Sequence, residues 1–412
     1  MRERFLLLGL FVAATYACSS SSSEDTAAPA GSTLPQGDPV DVPIDGLSHD
    51  EVVLFNKGDT LFGLPLRDAD GLGPLYTRTS CGACHEEGLR GPGLVQKMSV
   101  VEADGVTASI DQSKLPFGNT VHPLLAGGGK TPILPPVNDP SIKISVRVGP
   151  PVLGRGYMEA ILDSEIERVA AEQATRPDAI HGRVNRVVYA SDPNPDTRYH
   201  TFAKGQIVIG RFGLKARVAT LDDFTADALQ GDMGITSPLR PTEITNPDGL
   251  TDDKKPGVDV AIESVNQRAE YLRRIAIPRR PSADSTKAAS AIFTQAKCAV
   301  CHAPTLKTRP DYPIALLANI DAPIYSDMLL HDLGDALADG TANIDGQAKS
   351  HDWRTAPLIG LRFNKTLMHD GRVTNVRDAI LAHGGEATES VSLFQALSPA
   401  DQAVLLDFVG AL

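Results

Sequence analysis

Cys81-Gly82-Ala83-Cys84-His85 places two thiols and an imidazole within one short stretch, a spacing that can hold a porphyrin by three separate bonds. Each thiol can add across a vinyl group, and the His can turn a ring nitrogen onto the iron. The pattern recurs as Cys298-Ala299-Val300-Cys301-His302. A redox pair or half of a zinc site is the other reading of a lone copy. Two complete copies, with Cys18 the only further Cys in the chain, leave those readings short of ligands. The expected cofactors are therefore two covalently bound haem c groups, with His85 and His302 as metal ligands.

Working outward, the N-terminus carries Arg2 and Arg4, an apolar run from Phe5 to Ala14, and then Thr15-Tyr16-Ala17-Cys18. The run is too short to span a bilayer and reads as an export signal over residues 1–17. A small residue before Cys resembles a bacterial lipoprotein cleavage site. Lipidation of Cys18 would leave residues 18–48, rich in Ser, Pro, Ala and Gly, as a flexible tether. The expected location is the periplasmic side of the envelope, on the outer membrane, with a lipid anchor as the sole membrane attachment.

The 412 residues suffice for two to three domains, and 42% hydrophobic with 22% charged content is ordinary for a globular chain. The 30 Pro and 36 Gly imply long loops, and the low aromatic content, 5%, suits a protein whose porphyrins supply apolar surface. A net charge of −12 argues against nucleic acid and for a basic electron-donor protein as partner. Helical patterns occur from about residue 47 to Phe62, over 161–171, 262–275, 285–295 and 376–382, and over 399–411. Residues from His85 to about 143 show little periodicity. Within them Gly127-Gly128-Gly129-Lys130-Thr131 imitates a phosphate-binding loop, but Leu124 stands where that motif needs Gly. Arg147-x-x-Pro150 and Arg354-x-x-Pro357 lie at similar distances beyond the two His. They suggest a duplicated unit, and each Arg is either a propionate partner or a surface residue.

The order of motifs adds a family. Gly71-Leu72-Gly73-Pro74, Gly210-Arg211-Phe212-Gly213, Gly231-Asp232-Met233-Gly234-Ile235-Thr236, Leu329-Leu330-His331-Asp332, Trp353-Arg354-Thr355, His369-Asp370-Gly371 and His383-Gly384-Gly385-Glu386-Ala387 together resemble the di-haem oxidoreductases often labelled thiol oxidoreductases. These are relatives of the bacterial di-haem cytochrome c peroxidases and of the di-haem enzyme that matures methylamine dehydrogenase. The resemblance covers about residues 49–412. It implies a mainly α fold with two cytochrome c-like domains, here residues 49–284, with long loops and a central insert, and 285–412. Electrons would enter at the second haem and chemistry would occur at the first, with a small-molecule oxidant or thiol-type substrate.

The resemblance also assigns residues. In the related peroxidases the axial Met lies fourteen residues beyond the His of a His-Asn/Asp-Gly turn; here that turn holds His369, and the matching position is His383 at the end of a helical stretch. His383 is the expected partner of His302 on the second iron. His331 is expected at a haem propionate and His369 in the pocket wall. Met98, His122, Met158 and His181 are sixth-ligand candidates by type for the first iron. Glu159 is the candidate acid/base, with helix capping as the ordinary alternative. His49, His200 and His351 read as surface residues. The family usually carries Trp after Arg-Phe-Gly; here Leu214 stands there and the only Trp is Trp353. A non-enzymatic electron-transfer cytochrome, or a haem protein serving iron uptake, is the alternative function.

Overall fold

Ser48 opens the first helix by a reciprocal cap: its hydroxyl accepts from the Glu51 backbone while the Glu51 carboxylate accepts from the Ser48 N–H. That helix, α1 (His49–Gly63), lies along α5 (Ile262–Arg274) so closely that a Cβ on Gly58 would fall 2.2 Å from the Gln267 carbonyl oxygen. Phe55 and Phe62 on its inner face meet Tyr271 at ring separations of 5.1 and 5.0 Å. The computed structural model describes residues 40–251, 256–280, 283–340 and 346–412. The export signal, Cys18 and most of the tether fall outside these residues. The end of the expected tether is docked: Ile44 is buried against Ala160, Tyr199 and Tyr312, and its N–H donates to the Arg274 carbonyl.

The other helices are α2 (Arg155–Ala160), α3 (Asp163–Ala174), α4 (Leu221–Met233), α6 (Ala283–Gln295), α7 (Cys298–Cys301), α8 (Val376–Leu381), α9 (Thr388–Ala396) and α10 (Pro399–Ala411). Helix predominates, and the strands form two-stranded antiparallel ladders. The longest ladder pairs Leu94–Val100 with Ile142–Val148, inside a region that reads as irregular. Ile142, Ile144, Val146 and Val148 alternate with polar residues, a signal for a strand. The usual polarity is inverted: Ile144 is exposed, whereas Ser145 and Arg147 are buried. Helix α4 also had a legible signal, with Thr220 capping the Asp223 N–H, acidic residues in the first turn and Gly234 in the left-handed conformation beyond its end.

The described residues pack as one compact unit. The largest apolar cluster runs from Phe55 through Ile209, Phe212 and Tyr271 to Leu306, Met328 and Ile359, so side chains on both sides of position 284 share it. A second cluster, built on Phe293, Phe394, Leu405 and Phe408, comes mainly from α6, α9 and α10. It forms the floor beneath the second Cys-x-x-Cys-His segment.

Candidate haem site

Lys297, at φ 60°, turns the chain from α6 into α7, so that Cys298 and Cys301 share one short helical turn and His302 follows it. The Lys297 ammonium pins this turn from outside, reaching Asp178 at 2.9 Å and Glu389 at 2.7 Å. None of the four Cys in the two segments is in a disulfide. Burial pushes the Cys84 and Cys298 thiols up to about 11. A thiol so disfavoured as thiolate is a poor redox nucleophile, which weighs against the redox-pair reading.

His302 is half-buried, its pKa lowered to about 4 by desolvation and then by the nearby charge of His383. Its Nδ1 lies 3.1 Å from the Tyr325 carbonyl oxygen and donates to it, leaving Nε2 with no hydrogen-bond partner among the described residues. His383 repeats the arrangement. It follows α8, whose first turn is capped by the Asn375 side chain, and its Nδ1 lies 2.7 Å from the Ala379 carbonyl oxygen. A backbone carbonyl on Nδ1 selects the tautomer in which Nε2 carries the lone pair, as a metal ligand requires. Gly385, at φ 53°, turns the chain away where a Cβ would fall 2.2 Å from the Asp332 carbonyl oxygen.

Both imidazoles line one cavity of about 260 Å³ together with Cys298 and Cys301. Its walls are largely apolar, including Phe293, Leu333, Leu367, Ile380 and Leu405, and Arg90, Arg155 and Arg354 also face it. Arg155 and Arg354 are 6% and 7% exposed, and neither forms an ion pair with a carboxylate among the described residues. Apolar walls, paired thiols, two imidazoles with free Nε2 atoms and buried guanidinium groups fit a porphyrin bearing two carboxylates. At the first segment His85 is likewise half-buried, its pKa lowered to about 4 by desolvation, with the Pro150 carbonyl opposing and the Arg155 charge adding. Its Nδ1 is buried without a partner of full hydrogen-bond geometry, and its ring lies 6.2 Å from Phe62.

A family model described as "Di-haem oxidoreductase, putative peroxidase" matches residues 135–412. The chain belongs to this di-haem oxidoreductase family. Membership implies two haems and supports oxidoreductase activity. No curated protein matches the sequence. Similar solved structures include Kuenenia stuttgartiensis hydrazine synthase, at 14% identity and TM-score 0.40, covering 97% of this chain and 100% of that one. The di-haem peroxidase BthA of Burkholderia thailandensis has 14% identity and TM-score 0.39, with 87% and 86% covered. A MauG-like protein associated with microbial copper homeostasis has 15% identity and TM-score 0.40, with 92% and 94% covered.

In this di-haem oxidoreductase the sequence-derived residues separate into those that line the cavity and those that do not. Cys298, Cys301, His302, His331, Arg354, His369 and His383 do. His369 stacks on Trp353, with centroids 3.9 Å apart and planes 15° from parallel. Trp353 thus faces the cavity beside Leu214, whose carbonyl accepts from the Arg354 N–H.

Four expectations need correction. The Arg147 guanidinium is turned to Asp339 at 2.7 Å, behind Trp353 and outside the cavity lining, so its charge is already neutralised. His331 is not available to a propionate: Nε2 is 2.8 Å from Asp327 and Nδ1 2.7 Å from Glu386, and a third anion there would be repelled. Burial would lower its pKa, but Asp327, with the Cys301 sulfur adding, raises it well above the usual value. His200 is no surface residue; its side chain is 5% exposed and bonds Asp222 at 2.8 Å. Glu159 is no free acid/base. It accepts from Arg273 Nε at 2.6 Å, Tyr312 at 2.8 Å and the Leu221 N–H at 2.7 Å. Burial alone would raise its pKa, but Arg273 outweighs it and keeps the carboxyl ionised below its ordinary value.

Of the sixth-ligand candidates for the first iron, the two Met side chains are packed or bonded, while each His bonds a backbone carbonyl through one ring nitrogen. His122 Nε2 is 2.7 Å from the Gly231 carbonyl, and the Met158 sulfur takes Arg155 at 2.8 Å. His181 Nδ1 is 3.0 Å from the Gln173 carbonyl oxygen, beside the second site, and Met98 packs with Leu75 and Val121. Sequence reasoning missed Lys215 and Arg155. Lys215, 1% exposed at its side chain, bonds three carbonyls of the 349–352 turn and lies 4.2 Å over the Trp353 ring. The Gly-rich context of Arg155 was its only sequence signal.

Proposed function

We propose that this di-haem oxidoreductase is an exported, lipid-anchored, peroxidase-like enzyme of the periplasm. Thioether bonds from Cys81 and Cys84, and from Cys298 and Cys301, hold its haems. His302 and His383 would hold the iron of the second haem, on the side that would meet a small redox donor protein, and His85 would hold that of the first, the group that would supply reactivity toward the oxidant. Haem supplies one-electron storage and, where a coordination position is open, a reactive iron. The protein excludes water with apolar walls, fixes the His tautomers through the Tyr325 and Ala379 carbonyls, and presents an acidic surface to a basic donor.

The observation that carries this reading is an asymmetry. The second segment shares its cavity with a further imidazole, His383, whose Nδ1 is held by a backbone carbonyl, whereas of the candidates for the first iron Met158 is held by Arg155, Met98 lies in an apolar cluster, His122 turns its Nε2 to the Gly231 carbonyl and His181 lies beside the second site with its backbone N–H on Glu386. Electron paramagnetic resonance of the oxidised protein should show one low-spin and one high-spin ferric haem, and the mixed-valence protein should consume hydrogen peroxide. Two low-spin haems with no peroxide consumption in any redox state would instead establish an electron carrier. Mass spectrometry should find the mature N-terminus acylated at Cys18.

A further inference from the structure

Arg155 owes its place to two glycines. Gly154 takes the left-handed conformation at φ 65°, and Gly156 lets α2 lie against α5, where a Cβ would fall 2.0 Å from the Arg273 carbonyl oxygen. Between them, the Arg155 side chain is driven inward rather than to solvent. Its guanidinium touches the Met158 sulfur at 2.8 Å and the Pro151 carbonyl, and it borders the cavity of the second haem segment. Arg354 borders the same cavity from the opposite half of the chain. Its Nε donates to the Gly213 carbonyl at 3.1 Å and its Nη1 to that of Thr355 at 2.8 Å.

Two buried guanidinium groups therefore face one cavity without an ion-paired carboxylate among the described residues. They also repel one another: burial and then the Arg354 charge lower Arg155 to about 9, and burial lowers Arg354 to about 10. Such a pair is stable only with an anion between or beside it, and the planar fork of Arg suits a carboxylate. We infer that Arg155 and Arg354 form a two-arginine receptor for a carboxylate edge of the haem held in this cavity, and that Arg155 thereby tunes how readily that haem is reduced. Arg147, which the sequence offered for this task, is spent on Asp339.

The inference rests on the haem-binding reading above, and the experiment separates the two. Pyridine haemochrome absorbance first establishes two covalent haems; fewer than two refutes that reading. Spectroelectrochemistry of Arg155→Met then tests the receptor. Removing the cation leaves the carboxylate charge uncompensated and favours the ferric state. At fixed ambient potential the ferrous-to-ferric ratio of the second haem should fall about tenfold, ~59 mV for one electron. An unchanged midpoint with both haems attached overturns the proposal.

Arg155→Lys keeps the charge but not the fork. It should restore most of the midpoint while shifting the propionate bending band in resonance Raman spectra; an unmoved band counts against the receptor even if the Met variant fails to fold. The last control is sodium acetate. If acetate perturbs the wild-type spectrum and the Arg155→Met variant is blind to it at an unchanged midpoint, the pair serves a free anion and the haem-carboxylate assignment is wrong.

Discussion

Glu159 is a buried carboxylate whose lone pairs are taken by Arg273, Tyr312 and the Leu221 N–H, so its loss should register as instability. Glu159→Gln is expected to destabilise the fold by about 3 kcal/mol, the cost of leaving Arg273 half-compensated. Peroxide turnover per intact haem should stay within a few-fold of wild type, measured beside a thermal melt; a selective loss of two orders of magnitude in turnover would restore Glu159 to the chemistry. His383 should behave oppositely. His383→Ala is expected to convert the second haem from low-spin to high-spin with both haems still attached, read by electron paramagnetic resonance. The difference between these two residues explains what was legible. The Cys-x-x-Cys-His spacing and the position of His383 are local facts of the chain, set by thioether reach and by one helix. Arg273, Asp339 and Glu386 lie 114, 192 and 55 positions from Glu159, Arg147 and His331, and no local pattern announces those three contacts.

At the level of elements, α8 carries the most function on the least structure. It spans only Val376–Leu381, and the Asn375 cap satisfies the Asp378 N–H at its start. A helix of this length has no stability of its own. Asn375→Ala should therefore cost about 1 kcal/mol and loosen His383 first, seen as a high-spin fraction at the second haem that grows on warming below the global melt. A spin state independent of temperature would show that packing alone holds the helix. The elements whose ends carry strong punctuation, such as α5 before Pro278 and α10 after Ser398, were legible in advance. In the seven-residue ladder the alternation was legible but the buried face was not, because Ser145 and Arg147 are buried and Ile144 is exposed, with Arg147 held by the distant Asp339.

Across the whole molecule, buried ion pairs set the response to acid. Burial would raise Glu159, Asp222 and Asp227, but Arg273 prevails at the first, His200 and Arg273 at the second, and Arg217 with Arg240 at the third, which falls to about 2. Folded carboxyls with depressed pKa values stabilise above their unfolded values, 3.8 for Asp and 4.5 for Glu, and lose that contribution as pH falls through the folded ones. Asp223 and Asp232, raised by burial, offset part of the effect. The melting temperature should hold near neutrality and drop steeply from about pH 4 toward 2, and a flat profile there would contradict the pairing. The cavity at the second Cys-x-x-Cys-His segment draws its wall from both halves of the chain, with Arg90, Pro150, Pro151, Arg155 and Leu214 closing a chamber otherwise built from Phe293 onward. The C-terminal segment is consequently not an interchangeable cassette: grafted behind the front half of a relative, it would carry its Cys-x-x-Cys-His signature intact and yet open its porphyrin edge to water, so recombination within the family has to exchange the two halves together.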